Sequence, residues 1–383
     1  MKGCLILEDN SSFEGELLSP SGGCGGEVIF NTSMFGHQEI MTDPSSFGQI
    51  IVFTYPLIGN YGGAEIFSQS QKPQASGLVV RELCDYPNNH AMEYTFPEYL
   101  MKWGVPCLYG VDTRALAKKI RDSGTMRGII KRRDETTPDF SAIGSGLESS
   151  LSQISAKEIY SIPGDGAKIA VLDFGVRSDV LKALHDMGLN LVMIPFGTPA
   201  EEILPLAPDG ILLPDGPCSQ NPAKLEHSIK NLKNLIQSSH QKGQKNQKKI
   251  PVFGIGLGHL LMGLAMGTGI EKLKFGHHGS NHPVKDLLSD NYVFMTSQNH
   301  NYILDKHSAE SSGFEITHTE LNDGTVEGMR HRELPLFSVQ YQYVPQDKKI
   351  KSPNDDLSLF RQFLSMANET KNPGLAADKK GGL

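Results

Sequence analysis

Residues 250–259 read Ile-Pro-Val-Phe-Gly-Ile-Gly-Leu-Gly-His, and the helix-like His-Leu-Leu-Met-Gly-Leu-Ala-Met begins at His259 without a break. A short apolar run that turns on glycines straight into a helix is the repeating unit of a parallel sheet. Upstream the same unit recurs. Lys-Ile-Ala-Val-Leu-Asp-Phe at 168–174 is a continuous apolar run suited to a strand buried on both faces. Ser178 to Met187 follows as a helix with Val180, Leu181, Leu184 and Met187 on one stripe, ended by Gly188. Leu-Val-Met-Ile-Pro at 191–195 and Gly-Ile-Leu-Leu-Pro at 210–214 are further strands, and Leu225, Ile229, Leu232 and Ile236 mark a second helix. Strands alternating with helices over short links pair in parallel, so the fold class is α/β with an open sheet covered on both faces. Ligands in such sheets sit beyond the carboxyl ends of the strands. From Tyr292 to Tyr343 the runs at 292–296, 314–318 and 336–340 read as short strands of an antiparallel flank.

The first part of the chain is patterned differently. Cys4 to Leu7, Glu27 to Phe30, Gln49 to Tyr55 and Gly77 to Val80 are short apolar runs broken by turn residues, as in a β-rich domain. A helix fits Asp112 to Ser123, with Thr113 as a possible cap, Leu116 and Ile120 on one face and Gly124 as its stop. Between Arg132 and Gly166 the sequence is polar, as in a connecting segment with one short helix. The expected organisation is a first domain over residues 1–150 with a link to about 166, an α/β domain over 167–370, and a frayed tail over 371–383. Lys- and Gln-rich residues 241–249 read as a solvated loop between helix and strand.

Composition narrows the function classes. The 383 residues are 38% hydrophobic and 21% charged, enough for two cores. A net charge of −7 and no basic cluster argue against a nucleic-acid partner. No run approaches the length of a membrane span and Cys4 to Leu7 is too short for a secretory leader, so the expectation is no membrane and a cytoplasmic location. The five cysteines, Cys4, Cys24, Cys84, Cys107 and Cys218, are odd in number and widely spaced, which fits reduced thiols better than a disulfide framework or a zinc site.

The glycine-rich turn at 254–258 admits two chemical readings. A dinucleotide cradle needs Gly-x-Gly-x-x-Gly and a carboxylate presented from a second strand. Here the third glycine comes one place early and the only acidic residue nearby, Glu271, lacks that strand. A nucleophile elbow, Gly-x-Nuc-x-Gly, fits the frame, and its turn would point backbone amides at an oxyanion. Its central residue, however, is Gly256.

Several segments together resemble the small subunit of carbamoyl phosphate synthetase. They are Gly-Glu-Val-Ile-Phe-Asn-Thr-Ser-Met-Phe-Gly-His-Gln-Glu-Ile-Met-Thr-Asp-Pro-Ser at 26–45, Thr-Tyr-Pro-Leu-Ile-Gly-Asn-Tyr-Gly at 54–62, Val-Asp-Thr-Arg-Ala-Leu at 111–116, Val-Phe-Gly-Ile-Gly-Leu-Gly-His at 252–259, Lys-Phe-Gly-His-His-Gly-Ser-Asn-His-Pro-Val-Lys at 274–285 and Gln-Asn-His at 298–300. The resemblance is co-linear over nearly the whole chain. It implies an N-terminal domain peculiar to that subunit and a class I glutamine amidotransferase domain that uses a Cys-His-Glu triad. It also implies a large-subunit partner, to which ATP, magnesium and bicarbonate would belong, leaving no cofactor in this chain, and service to arginine or pyrimidine synthesis.

Carried over position by position, the resemblance puts Gly256 at the nucleophile, Gln342 at the base and Val344 at the orienting acid. Of the family's glutamine-binding positions, Ser33, Gly216, Leu257 and Asn299 are retained. Cys218, Leu260, Asn301 and Tyr302 stand where the family has other residues. Glycine cannot attack, an amide neither accepts a proton usefully nor becomes cationic, and valine cannot orient a base. Losing such a nucleophile or base typically costs on the order of 10⁶ in kcat. The expected function is therefore a small subunit that has lost glutamine hydrolysis, with doubtful glutamine binding, partnering an ammonia-using large subunit. Two alternatives stay open here. One is a pseudoenzyme that binds another partner. The other is an amidotransferase with a rebuilt site, for which Cys218 and His259 are the conceivable pair. His277, His278 and His282 fit no common zinc spacing and are expected to make structural hydrogen bonds, so no metal is expected.

Overall fold

The computed structural model describes residues 1–19, 22–136, 139–143, 146–217, 220–240, 249–343 and 357–371. In the N-terminal part seven strands close a barrel: Lys2–Leu7, Ser12–Leu18, Cys24–Asn31, Gln49–Phe53, Gly77–Val79, Cys107–Tyr109 and Met126–Arg132. Alternation along each strand sorts its residues between two cores. Val28, Ile50, Val52, Val79 and Leu108 join Leu116 and Ile120 of the helix Thr113–Ser123. Ile29, Ile51, Phe53 and Leu78 instead meet Phe96, Tyr99 and Leu100 of the helix Phe96–Trp103. The cap of Thr113–Ser123 is Asp112 rather than Thr113, because its carboxylate reaches the Ala115 amide at 3.0 Å while Thr113 is buried.

The second part is a ten-stranded sheet. Its centre is parallel, in the order Asn190–Pro195, Lys168–Asp173, Gly210–Leu213, Val252–Ile255 and Leu336–Val339. Successive residues of these strands serve opposite faces. Ala170, Leu172, Ile211 and Val252 pack with the helices Glu226–Ser239 and Leu257–Ala265, while Ile169, Val171, Leu212 and Phe253 pack with Val180, Leu184, Phe360 and Phe363. This is the doubly covered α/β sheet that the sequence pattern predicts.

Two assignments in the flank need correction. The run at 336–340 does not belong to the antiparallel flank alone. Leu336–Val339 pairs in parallel with Val252–Ile255 and antiparallel with Val326–His331, so it is the seam between the two halves of the sheet. All four of its residues are buried, as a central strand requires. The flank also contains a 17-residue strand, Ile270–Asp286, paired with Val293–Leu304. Glycines and histidines hide its alternation, and register shifts at Lys272/His277 and Gly279/His282 break it into pieces. The connecting stretch contributes the helix Leu147–Ile154, with Leu147 and Leu151 in the core, and the edge strand Tyr160–Ile162.

Candidate functional site

Four neighbouring parallel strands deliver their carboxyl ends to one place. Beyond Lys168–Asp173 comes Arg177, beyond Gly210–Leu213 comes Asp215, beyond Val252–Ile255 comes Gly256, and beyond Leu336–Val339 comes Gln342. The chain leaves Lys168–Asp173 to one side and returns on the other, which is the topological switch where open α/β sheets build their sites.

At the turn Gly256 has φ 52° and ψ −111°, and its N–H donates to the Val339 carbonyl at 2.9 Å. Only glycine adopts that conformation without strain. Gly258 is required for another reason, since a β-carbon there would stand 2.0 Å from the Leu213 carbonyl oxygen. The helix Leu257–Ala265 starts at once, so the amide of Leu257 is free of any intrahelical partner.

That amide is taken by Asp215. Its Oδ1 accepts from Leu257 N at 2.9 Å and from Gly216 N at 2.8 Å. A β-carbon on Gly256 would fall 2.0 Å from the same oxygen. Asp215 therefore fills the volume a side chain at 256 would need and takes the elbow amide of Leu257 together with the Gly216 amide of its own loop. Burial first, and then the charge of Asp43, push its carboxyl up to about 7, against the pull of the two amides and Arg177.

Gln342 is enclosed in an ionic network. Its Nε2 donates to Asp43 Oδ2 at 3.0 Å and Ser45 Oγ at 3.1 Å, and its Oε1 accepts from Arg177 Nη1 at 3.3 Å. Arg177 is buried and pairs with Asp43 at 2.7 Å and Asp179 at 2.6 Å. Burial opposes its charge, but the carboxylates outweigh that and hold the guanidinium firmly protonated. Asp43 and Ser45 come from the barrel side, so the network also fastens the two halves of the chain.

A cavity of about 310 Å³ opens beside it, lined among others by Ser33, Asp43, Arg177, Asn299 and Gln342. Ser33 and Asn299 both line this cavity. Leu257 and Gly216 do not line it. They lie by the elbow, and Arg177 and Gln342 line both the cavity and the small void of about 10 Å³ next to Asp215. Asn299 is already committed: its Nδ2 donates to Ser45 Oγ at 2.9 Å and its Oδ1 lies 2.7 Å from His278 Nδ1. Asn301, fully buried, meets His278 Nε2 with its Oδ1 at 3.0 Å and donates from Nδ2 to Glu27 Oε2 at 2.9 Å. Leu260 is buried in the core with Leu257, and Tyr302 packs in the same cluster. Cys218 and Val344 lie outside the described residues.

His259 does not face the cavity. It is fully buried under the elbow with Nδ1 2.7 Å from Ser338 Oγ, and burial holds its imidazole down near 3, hence neutral. Cys4, Cys24 and Cys107 belong to barrel strands, and Cys84 follows the short strand Glu82–Leu83. Burial pushes the Cys24 thiol up to about 12, which makes it a packing residue. Sequence reasoning overlooked Asp43, Arg177 and Asp215. Asp215 had a signal, a carboxylate in the first loop after an apolar strand. Arg177 and Asp43 are 134 residues apart and had none.

Similarity to known proteins decides the family. Residues 5–130 match the model described as carbamoyl-phosphate synthase small chain, CPSase domain, and residues 170–342 match glutamine amidotransferase class-I. The carbamoyl phosphate synthase small chain of Caldanaerobacter subterraneus is 43% identical over 366 residues, covering 96% of each chain. The chain belongs to the carbamoyl phosphate synthase small-chain family. Within that family, the small chain of Bacillus cereus is 42% identical over 98% of each chain. The pyrimidine-specific small chain of Bacillus subtilis is 40% identical over 98% of this chain and 99% of its own. Among the described residues no helix is long and apolar enough to cross a membrane.

Proposed function

We propose that this member of the small-chain family has lost glutamine hydrolysis and serves as the structural or regulatory partner of a carbamoyl phosphate synthase large subunit that draws on free ammonia. The observation that carries the reading is the Asp215 carboxylate, which accepts the elbow amide of Leu257 and the neighbouring amide of Gly216 on the spot that a side chain at 256 would occupy. Acyl transfer needs a nucleophile there and two donors left vacant for the oxyanion. Gly256 supplies no nucleophile, and the donors are engaged. Gln342, where a base would stand, is bound on both ends of its amide by Asp43, Ser45 and Arg177. Even a bound glutamine in the 310 Å³ cavity would face the Arg177–Gln342 pair rather than the elbow.

Two measurements test this. Incubated with glutamine, the purified chain should release glutamate no faster than a buffer control. Purified with its large subunit, it should support carbamoyl phosphate formation from ammonium, ATP and bicarbonate, but not from glutamine. Equal rates with glutamine and ammonium would overturn the loss of hydrolysis. Failure to copurify with any ATP-consuming partner of synthetase size would overturn the partnership.

A further inference from the structure

On the antiparallel flank a second polar cluster lies outside the site just described. His277 on Ile270–Asp286 stands opposite His300 on Val293–Leu304, and Glu327 enters from Val326–His331. All three side chains are more than nine-tenths buried. One ligand atom from each lies within 4.8 Å of the other two. Glu327 Oε1 is 3.7 Å from His277 Nδ1 and 3.7 Å from His300 Nε2, too far for hydrogen bonds. His277 Nδ1 and Glu327 Oε1 accordingly have no hydrogen-bond partner in spite of their burial.

The opposite atoms of the same groups are all held. His277 Nε2 faces Asp323 Oδ2 at 2.8 Å, His300 Nδ1 faces the Tyr302 carbonyl at 3.1 Å, and Glu327 Oε2 accepts from Gln298 Nε2 at 3.0 Å. Outer partners of this kind, a carboxylate or a carbonyl behind each imidazole, orient histidines that bind a metal. His300 adds a further sign. Its Nε2 also lies 3.1 Å from Gln298 Oε1, so both ring nitrogens face oxygens while a neutral imidazole has one N–H to give. A cation at Nε2 resolves the conflict by taking the lone pair there and leaving Nδ1–H for Tyr302. Tetrahedral bonds of about 2.0–2.1 Å place ligand atoms roughly 3.3 Å apart, close to the 3.7 Å that separates Glu327 Oε1 from each imidazole nitrogen.

We propose that His277, His300 and Glu327 form a binding site for one divalent transition-metal ion, best matched by zinc. Two imidazoles and a carboxylate suit that ion, and Gln298 Oε1 or a water is at hand for the fourth position. The ion would tie the long hairpin to Val326–His331 immediately behind Asn299, so its role is to stiffen the wall of the cavity. Nothing in this depends on whether glutamine is hydrolysed. His278, the next residue on the strand, points the other way to Asn299 and Asn301 and takes no part.

The test uses the full chain, stripped with a chelator and titrated with zinc chloride, magnesium chloride serving as control. The expected result is one zinc per chain surviving desalting, by elemental analysis, with a zinc-dependent rise in melting temperature that chelator reverses and magnesium does not produce. Cobalt loading of the same wild-type chain should give the visible absorption of a low-coordinate site, which keeps the test decisive if a variant does not fold. Glu327→Gln should weaken zinc binding on the order of 10- to 100-fold or more, whereas His185→Gln, an exposed helix residue, should leave it unchanged. Absence of retained zinc and of the cobalt spectrum in the wild type would overturn the proposal. Zinc retained equally by Glu327→Gln would also overturn it, assigning the ion to other histidines and the cluster to a second proton on His277.

Discussion

Asp215 and Gly256 exclude any side chain at 256: the carboxylate oxygen of one sits 2.0 Å from the position a β-carbon of the other would take. Two residues from adjacent strand ends thus share one volume, and the backbone at 256 lies in the region that disfavours side chains in any case.

That relationship predicts a coupling. Gly256→Ala should destabilise the chain by about 2–4 kcal/mol, from backbone strain and from the clash together. In an Asp215→Ala background the clash disappears and only the strain remains, so the same substitution should cost about 1–3 kcal/mol. A double-mutant cycle on urea unfolding measures the difference. Equal costs in both backgrounds would mean that the two residues do not compete for space. For the same reason Gly256→Cys alone should leave glutamate release at background, and a rate near that of an active amidotransferase would refute the assignment.

The pH dependence of stability gives an independent test. Asp215 has an ordinary carboxyl pKa near 3.8 in the unfolded chain and about 7 when folded. Between those values the folded form keeps a proton that the unfolded form has lost, so this group's contribution to stability declines as pH rises through the window and is constant above it. Asp215→Asn mimics the protonated form and keeps the amide-facing oxygen. It should therefore match the wild type near pH 4 and exceed it at pH 8, by an upper bound of roughly 4 kcal/mol. Subtracting the two curves removes the contributions of other buried acids such as Glu39. Parallel curves would show that Asp215 ionises normally.

The Arg177 network should behave as a unit. Arg177→Met strands Asp43 and Asp179 without their cation and should cost roughly 3–5 kcal/mol. Replacing Asp43 by Asn at the same time should recover part of that cost, so the double variant should be more stable than the sum of the singles. Chemical denaturation of the four proteins reads the coupling; strict additivity would contradict it.

Across the seam between the halves, Asn301→Ala removes the amide between His278 and Glu27 and should cost about 1–3 kcal/mol, leaving Glu27 with Lys272 at 3.4 Å as its charged partner. Asn281→Ala, which removes an exposed carbonyl that accepts from the Thr32 hydroxyl, should cost well under 1 kcal/mol. Thermal unfolding of the two variants ranks them, and an equal loss would place Asn301 outside the packed seam.

Local pattern made the α/β half legible. Val252–Ile255, Lys168–Asp173 and Gly210–Leu213 are apolar along their whole length, and the helices between them carry clear stripes. Leu336–Val339 is legible as a strand of the flank but not as its seam, because an apolar run of four does not state that one neighbour runs antiparallel and the other parallel. Ile270–Asp286 escaped notice because its bulges shift the alternation at Gly276 and Gly279, where φ is 70° and 149°. At the site, glycine at 256 and glutamine at 342 could be read directly. The partners that surround them could not, because Asp215, Arg177 and Asp43 act through contacts between distant segments that no spacing encodes.

The shared volume at the elbow also orders the substitutions by which a side chain could enter position 256. Any residue other than glycine at 256 meets the Asp215 carboxylate, so a path that changes 256 first passes through a destabilised protein. A path that begins at 215 vacates the two amides before a side chain has to fit. Even then Gln342 stays tied to Asp43, Ser45 and Arg177, so a base at that place requires its own dismantling step. The turn therefore works as a ratchet: glycine at 256 is easily held, and a side chain enters there only after a change at 215.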